Sequence, residues 1–288
     1  MTQKRATPTL KRRRVGSHLR RYREDVPLKS GDAAKLMSWD ITRLTRIERG
    51  LYRISAEEVR ALAKAYGVTD QAAVDVLASA AEEPPDIGWW TPFRDAGAQD
   101  LLDYIAAESE AESIRIWTPT NIPALLQTPA YTRELMSTSV DRRLRGRLER
   151  LVALRMARQQ VLTRPGEPVT CRFLVPEYAF YGQFKGGGSV IKDQLRRLFD
   201  ASYHENVEIR VVPLSTMPHG GHFAFTLLTF PHPWRPLLSV DNQQGGMLLD
   251  DPAEFETSEA MFAQIASVAL PVEETRELIT KHLEGTNK

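Results

Sequence analysis

At 288 residues with 42% hydrophobic side chains, the chain is long enough for two packed domains, each with its own core. Its formal charge of +1 conceals a division, because residues 1–54 hold 15 Lys+Arg against 5 Asp+Glu and the remainder is net −9. A single cysteine, Cys171, excludes an intramolecular disulfide; the basic start is followed by no apolar run, and about 18 consecutive apolar residues occur nowhere, so export and membrane insertion are not expected and a cytoplasmic location is.

A basic head on an acidic body is the charge pattern of a nucleic-acid-binding domain fused to a sensor or partner-binding domain. Residues 1–13 read as a basic, flexible tail. Val15, Leu19 and Tyr22 then mark a first helix, and Ser30 is expected to cap a second that runs to about Met37 and carries the small Ala33 and Ala34. Ser38 takes a tight turn. Asp40 caps a third helix, Leu44 and Ile47 face inward, and Gly50 supplies a left-handed stop. Thr42, Thr45, Arg46 and Arg49 fall on the opposite face, at the spacing of one helical side. Two short helices joined so briefly, the second with a polar face, make a helix-turn-helix. Val59, Leu62, Ala63 and Tyr66 mark a fourth helix between Ser55 and Gly67, and Val74, Val76 and Leu77 a fifth.

From this face, Ile41, Thr42 and Arg46 are expected to reach base edges of double-stranded DNA, while Lys29, Ser30, Arg43, Arg49 and Arg53 hold phosphates. One short recognition helix reads only a few base pairs, so a homodimer is expected on an operator.

The segments Leu19 to Glu24, Trp39 to Gly50 with its Arg46-Ile47-Glu48-Arg49-Gly50 ending, and Val59 to Val68 resemble the Cro/repressor-type (xenobiotic-response-element) regulators of actinomycetes, over residues 14–81. The resemblance implies a five-helix, lambda-repressor-like domain. Together with the electrostatics it implies a scaffold ion pair between Arg23 and Glu48, since an unpaired carboxylate beside the DNA face would repel phosphates. The chain departs from the family in having Lys29-Ser30 where Thr-Gln is usual and Ser38 where glycine is usual.

Paired prolines and Gly88 suit a connector over residues 82–99, with Trp89 and Trp90 packed against a domain rather than stacking on bases. Residues 100–288 read as a mixed α/β or α+β domain. Helices are expected over Leu101 to Ala111, Pro129 to Met136, Asp141 to Leu162, Val190 to Tyr203, Glu254 to Ala269 and Val272 to Leu283. Strands are expected over Ile114 to Trp117, Val169 to Val175, Val207 to Val212, Phe223 to Phe230 and Leu237 to Val240.

Glu108 to Glu112, Ile122 to Arg133, Gln194-Leu195, Val207 to Pro213 and Phe223 to Phe230 are similar to the effector domain of the WhiJ-like regulators. That resemblance implies binding to a small protein partner encoded nearby, and some such proteins have been described as antitoxin-like. It implies no catalytic chemistry.

The residues support none either. His219 and His222 offer two imidazoles where zinc needs three or four ligands. Lys185 to Ser189 lacks the Gly-Lys-Ser/Thr ending of a phosphate loop, and no serine stands in a nucleophile elbow. No catalytic residue, metal or cofactor is therefore expected. The chain is read as a sequence-specific transcriptional regulator controlled through its carboxy-terminal domain; an antitoxin-like protein autoregulating its operon is the alternative. A small-molecule sensor is the third reading, with Trp117, Phe173, Tyr178, Phe180, Tyr181, Phe184, Phe223 and Phe225 lining an apolar cavity.

Overall fold

The structure, a computed structural model, describes residues 9–83, 88–138, 146–166, 168–216, 221–241 and 246–285. The chain divides into two compact units, residues 1–91 with His232–Trp234, and residues 92–231 with 235–288.

The first unit is helical. Its helices are α1 (Leu10–Asp25), α2 (Ser30–Leu36), α3 (Ile41–Glu48), α4 (Ala56–Ala65) and α5 (Gln71–Glu82). Val15, Leu19, Leu44, Ile47, Val59, Leu62 and Leu77 bury themselves in one core, so each helix turns one apolar stripe inward. Helix α1 begins four residues earlier than the basic tail assigned to residues 1–13 allows. Thr9 caps it by accepting from the Arg12 amide at 3.3 Å, and Leu10 is buried, so Lys11 to Arg13 form a helical turn. Ser30 does not cap α2. It is the first helical residue, and Lys29 in the cap position makes no side-chain bond to the helix.

The caps of the other helices follow from their residue types. Asp40 accepts from the Thr42 amide at 2.6 Å, and Ser55 and Glu58 form a reciprocal capping box on α4. Ser38 adopts φ 55° between α2 and α3, a left-handed conformation that glycine reaches more cheaply. Gly50 closes α3 with φ 68°, and Leu51 N donates to Arg46 O at 2.8 Å across the helix end.

The second unit carries a six-stranded mixed sheet in the order β3-β2-β1-β4-β5-β6. The strands are β1 (Ser113–Trp117), β2 (Thr170–Pro176), β3 (Val207–Val212), β4 (Phe225–Thr229), β5 (Leu237–Val240) and β6 (Met247–Leu249). β1, β2 and β3 are parallel, whereas β4 runs antiparallel to β1 and the last two strands alternate from it. Parallel neighbours need crossovers, and the chain supplies α7 (Pro129–Ser137) and α8 (Leu148–Arg158) between β1 and β2, then α9 (Gly188–Ala201) between β2 and β3. Helix α6 (Gln99–Glu110) precedes the sheet; α10 (Pro252–Val268) and α11 (Val272–Gly285) follow it.

Trp117, Leu174, Leu227 and Leu238 form a buried cluster with Phe262 and Ile265 of α10, so that helix covers one face of the sheet. Along the outer side of β3, Leu270 N donates to Val211 O at 2.8 Å and Val211 N donates to the Thr275 hydroxyl at 3.0 Å. The long helix expected over Asp141 to Leu162 is shorter. Residues 139–145 lie outside the described residues, α8 starts at Leu148, and Gln159–Thr163 tighten into a 3-10 turn that buries Val161 and Leu162. No helix of the described residues is long and apolar enough to cross a membrane.

Candidate nucleic-acid interface

Helix α3 sorts its residues by face. Leu44, Ile47 and Glu48 are buried; Ile41, Thr42, Arg46 and Arg49 are exposed. Ile41 is 51% exposed at the first turn. Lys29 and Arg53 are also exposed, at the start of α2 and after α3, while Ser30 is half-buried. Arg20, Lys29, Ser30, Thr45 and Arg49 line one cleft beside α3. The sequence reading did not single out Arg20. It lies one turn before Arg23 on α1, and its Nε donates to Glu24 at 2.8 Å.

Two arginines of the recognition helix have intramolecular partners. Arg46 donates to the Tyr52 hydroxyl and lies 5.1 Å from that ring's centroid, so a half-buried phenol holds the guanidinium in place. Arg43 donates to Glu58 at 2.5 Å and stacks over Trp39 at 4.2 Å. It thus shares the carboxylate that completes the α4 capping box. Thr45 donates its hydroxyl to Ile41 O at 2.9 Å.

What aims the helix lies underneath. Arg23 Nε and Nη2 donate to Glu48 Oε1 and Oε2 at 2.7 and 3.0 Å, with both side chains buried, and Arg23 Nη1 donates to Leu28 O at 2.9 Å. Burial and the Glu48 charge push the Tyr66 hydroxyl up to about 12. Gly16 of α1 lies against the end of α3 so closely that a Cβ there would stand 2.7 Å from Glu48 O and closer still to Ile47 O. A Cβ on Gly50 would stand 2.7 Å from Arg13 N. The two glycines let the backbones of α1 and α3 touch, and sequence reading assigned a role only to the second.

A family model described as a helix-turn-helix domain matches residues 14–77. These helices thus have the architecture of a DNA-binding regulator. A second model, described as a domain of unknown function, DUF5753, matches residues 101–281. The chain belongs to the DUF5753 family. No curated protein and no solved structure matches it.

The loop Lys185 to Ser189 presents its Lys185 and Gly186 amides to the Glu134 carboxylate, at 3.2 and 3.0 Å, so a side chain of the chain itself occupies them. His219 lies outside the described residues, among which no cluster of three or more metal-ligating side chains occurs. The eight aromatic residues proposed to line one apolar cavity are scattered. Trp117 and Phe173 are core residues, whereas Tyr178 and Tyr181, in a 3-10 turn after β2, and Phe223, before β4, are 62%, 54% and 72% exposed, because the strand alternation that buries Trp117 does not extend to them. Cys171 is fully buried in β2, and burial pushes its thiol up to about 12.

Proposed function

We propose that the chain is a sequence-specific transcriptional regulator in which Ile41, Thr42 and Arg46 read base edges. Lys29, Ser30, Arg49 and Arg53 hold phosphates, and Arg43 positions the recognition helix through Glu58. The observation that carries this reading is the exposed face of α3, where Ile41 stands beside Thr42 and Arg46 on a capped helix. An apolar side chain at that place suits a thymine methyl, and the Arg46 fork suits guanine O6 and N7 at about 1–3 kcal/mol of discrimination.

The test uses duplexes selected from a random library by the full-length protein and titrated beside scrambled duplexes at several salt concentrations. Arg46→Ala is expected to lose preference for the selected sequence. Unchanged preference would remove the base-contact assignment. Two chains per site on pseudo-palindromic half-sites are expected; a single chain protecting one asymmetric site at full affinity would rule out the homodimer.

The DUF5753 unit acts in this reading as a protein-binding effector, with recognition rather than catalysis as its output. The second resemblance, to the WhiJ-like effector domain, motivates the partner. Co-expression of the full-length protein with the product of the neighbouring small gene should yield a complex on purification, and separation of the two would count against it.

A further inference from the structure

The DUF5753 unit holds a cavity of about 160 Å³ between one face of its sheet and helices α6 and α8. Register builds its floor. Ile116 of β1 stands opposite Thr226 of β4, and Thr226 opposite Ser239 of β5, so one apolar side chain and two hydroxyls share the face away from α10. Tyr104 of α6 and Arg155 and Arg158 of α8 close over that floor, and Leu101 of α6 and Ala124 add apolar lining.

The two arginines have different partners. Arg158 forms a two-point ion pair with the buried Glu108, at 2.9 and 2.8 Å, and is neutralised. Arg155 Nη1 donates at 2.8 Å to the side-chain oxygen of Gln127, a neutral acceptor. That amide is itself fixed, since Gln127 Nε2 donates to Ile122 O at 2.6 Å and Gln127 Oε1 also accepts from the Thr132 hydroxyl at 3.0 Å. Among the described residues Arg155 has no carboxylate in ion-pair contact. Burial, with the repulsion of Arg158 behind it, pushes its guanidinium down to about 10. The Asp241 and Glu108 charges oppose that shift from a distance, and a buried guanidinium whose direct partner is a neutral amide is suited to an anionic ligand.

The opposite charge stands at the rim. A Cβ on Gly246 would lie 3.3 Å from Ser239 Oγ and 3.4 Å from Asp241 Oδ1, so this hydroxyl and this carboxylate converge over a residue without a side chain; desolvation raises the Asp241 carboxyl, and the Arg158 and Arg155 charges oppose that rise. The volume is close to that of a cavity that takes one benzene-sized molecule. A preformed cavity with apolar walls and a few convergent polar groups is the usual form of a small-molecule site. We propose that it binds a small α-amino acid, with the carboxylate on Arg155, the ammonium on Asp241 and the side chain against Leu101, Ile116 and Ala124. The proposal is independent of the DNA-reading role, and its test contains no DNA.

The full-length protein is titrated by calorimetry with the standard α-amino acids at millimolar concentration. Each ligand found is then compared with its amine lacking the carboxylate and its carboxylic acid lacking the amine. At least one amino acid should bind one per chain, both truncated compounds should bind about tenfold more weakly or worse, and Arg155→Gln should lose binding to a similar degree. Asp241→Asn should weaken the amino acid while leaving the matched carboxylic acid unchanged, and it decides the matter if Arg155→Gln does not fold. The proposal is overturned if no amino acid binds, if the carboxylic acid binds as well as the amino acid, or if a folded variant retains full affinity.

Discussion

Arg23 and Glu48 join the first helix to the last turn of the recognition helix by a two-point ion pair, with the two side chains 8% and 6% exposed. Removal of one partner leaves a buried charge uncompensated. Glu48→Ala is therefore expected to lower unfolding free energy by about 3–5 kcal/mol, whereas Arg23→Met with Glu48→Leu is expected to recover much of it. A double-mutant cycle in denaturant reads the coupling, and additive single effects would show that the pair contributes no more than an exposed one.

Gly16→Ala is expected to be disruptive although the added group is only a methyl. The neighbours it meets are backbone carbonyls of Ile47 and Glu48, which cannot rotate away, so α3 must shift. A loss of about 1–3 kcal/mol is expected, with weaker binding to the selected duplex at a temperature where the variant is folded. Wild-type affinity together with wild-type stability would mean that the helices separate without penalty.

Arg49→Ala and Arg53→Ala should weaken selected and scrambled duplexes alike, and each should make the salt dependence of binding shallower by about one phosphate's worth, close to 0.9 in the log–log slope. Arg43→Ala should leave that slope unchanged and lower stability instead, because its guanidinium lies on Glu58 and Trp39. A shallower slope in Arg43→Ala would return it to the phosphate set.

The Asp40 carboxyl is held below its usual range, first by a side-chain bond from Thr42 and next by the Thr42 amide. A depressed carboxyl contributes stability that is present above its unfolded value, near pH 4, and is lost as pH falls through the folded value. Glu24, lowered by its bond from Arg20, has the same sign. Denaturant midpoints measured from neutral pH downward should fall below about pH 4, and the fall should be shallower in Asp40→Asn. Identical profiles would remove Asp40 from the acid response.

The Cys171 thiol should resist alkylation in the folded protein at mildly alkaline pH and react at the rate of a free thiol in denaturant, since it is both buried and held neutral. Rapid modification under native conditions would show that β2 opens.

Local pattern carried much of this fold. Val207 to Val212 alternates apolar and charged residues inside valine-rich sequence, and the strand occupies those residues. Asp40, Leu44, Ile47 and Gly50 each state one local fact about α3, cap, inward face and stop, and their agreement defines the helix. Met247–Leu249 was not legible, because three residues are too few to show a period. Ser30 misled for a related reason, as a hydroxyl near a helix start fits either the cap or the first turn. The interface was less legible than the fold. That Arg43 meets Glu58 depends on how α4 packs beside α3, and that Gly16 touches Glu48 depends on a backbone approach across 32 positions of sequence; neither leaves a periodic trace.

The outward-facing amide and carbonyl of Val211 are both taken, one by the Thr275 hydroxyl and the other by the Leu270 amide. An edge strand ordinarily offers such groups as a template for a stray strand. Here the template is blocked near the carboxyl end of β3 by the turn before the last helix and by that helix's first turn. Self-association by sheet extension is thereby closed off at that margin, and the safeguard lies in residues far along the chain, so a truncation before Leu270 would reopen it.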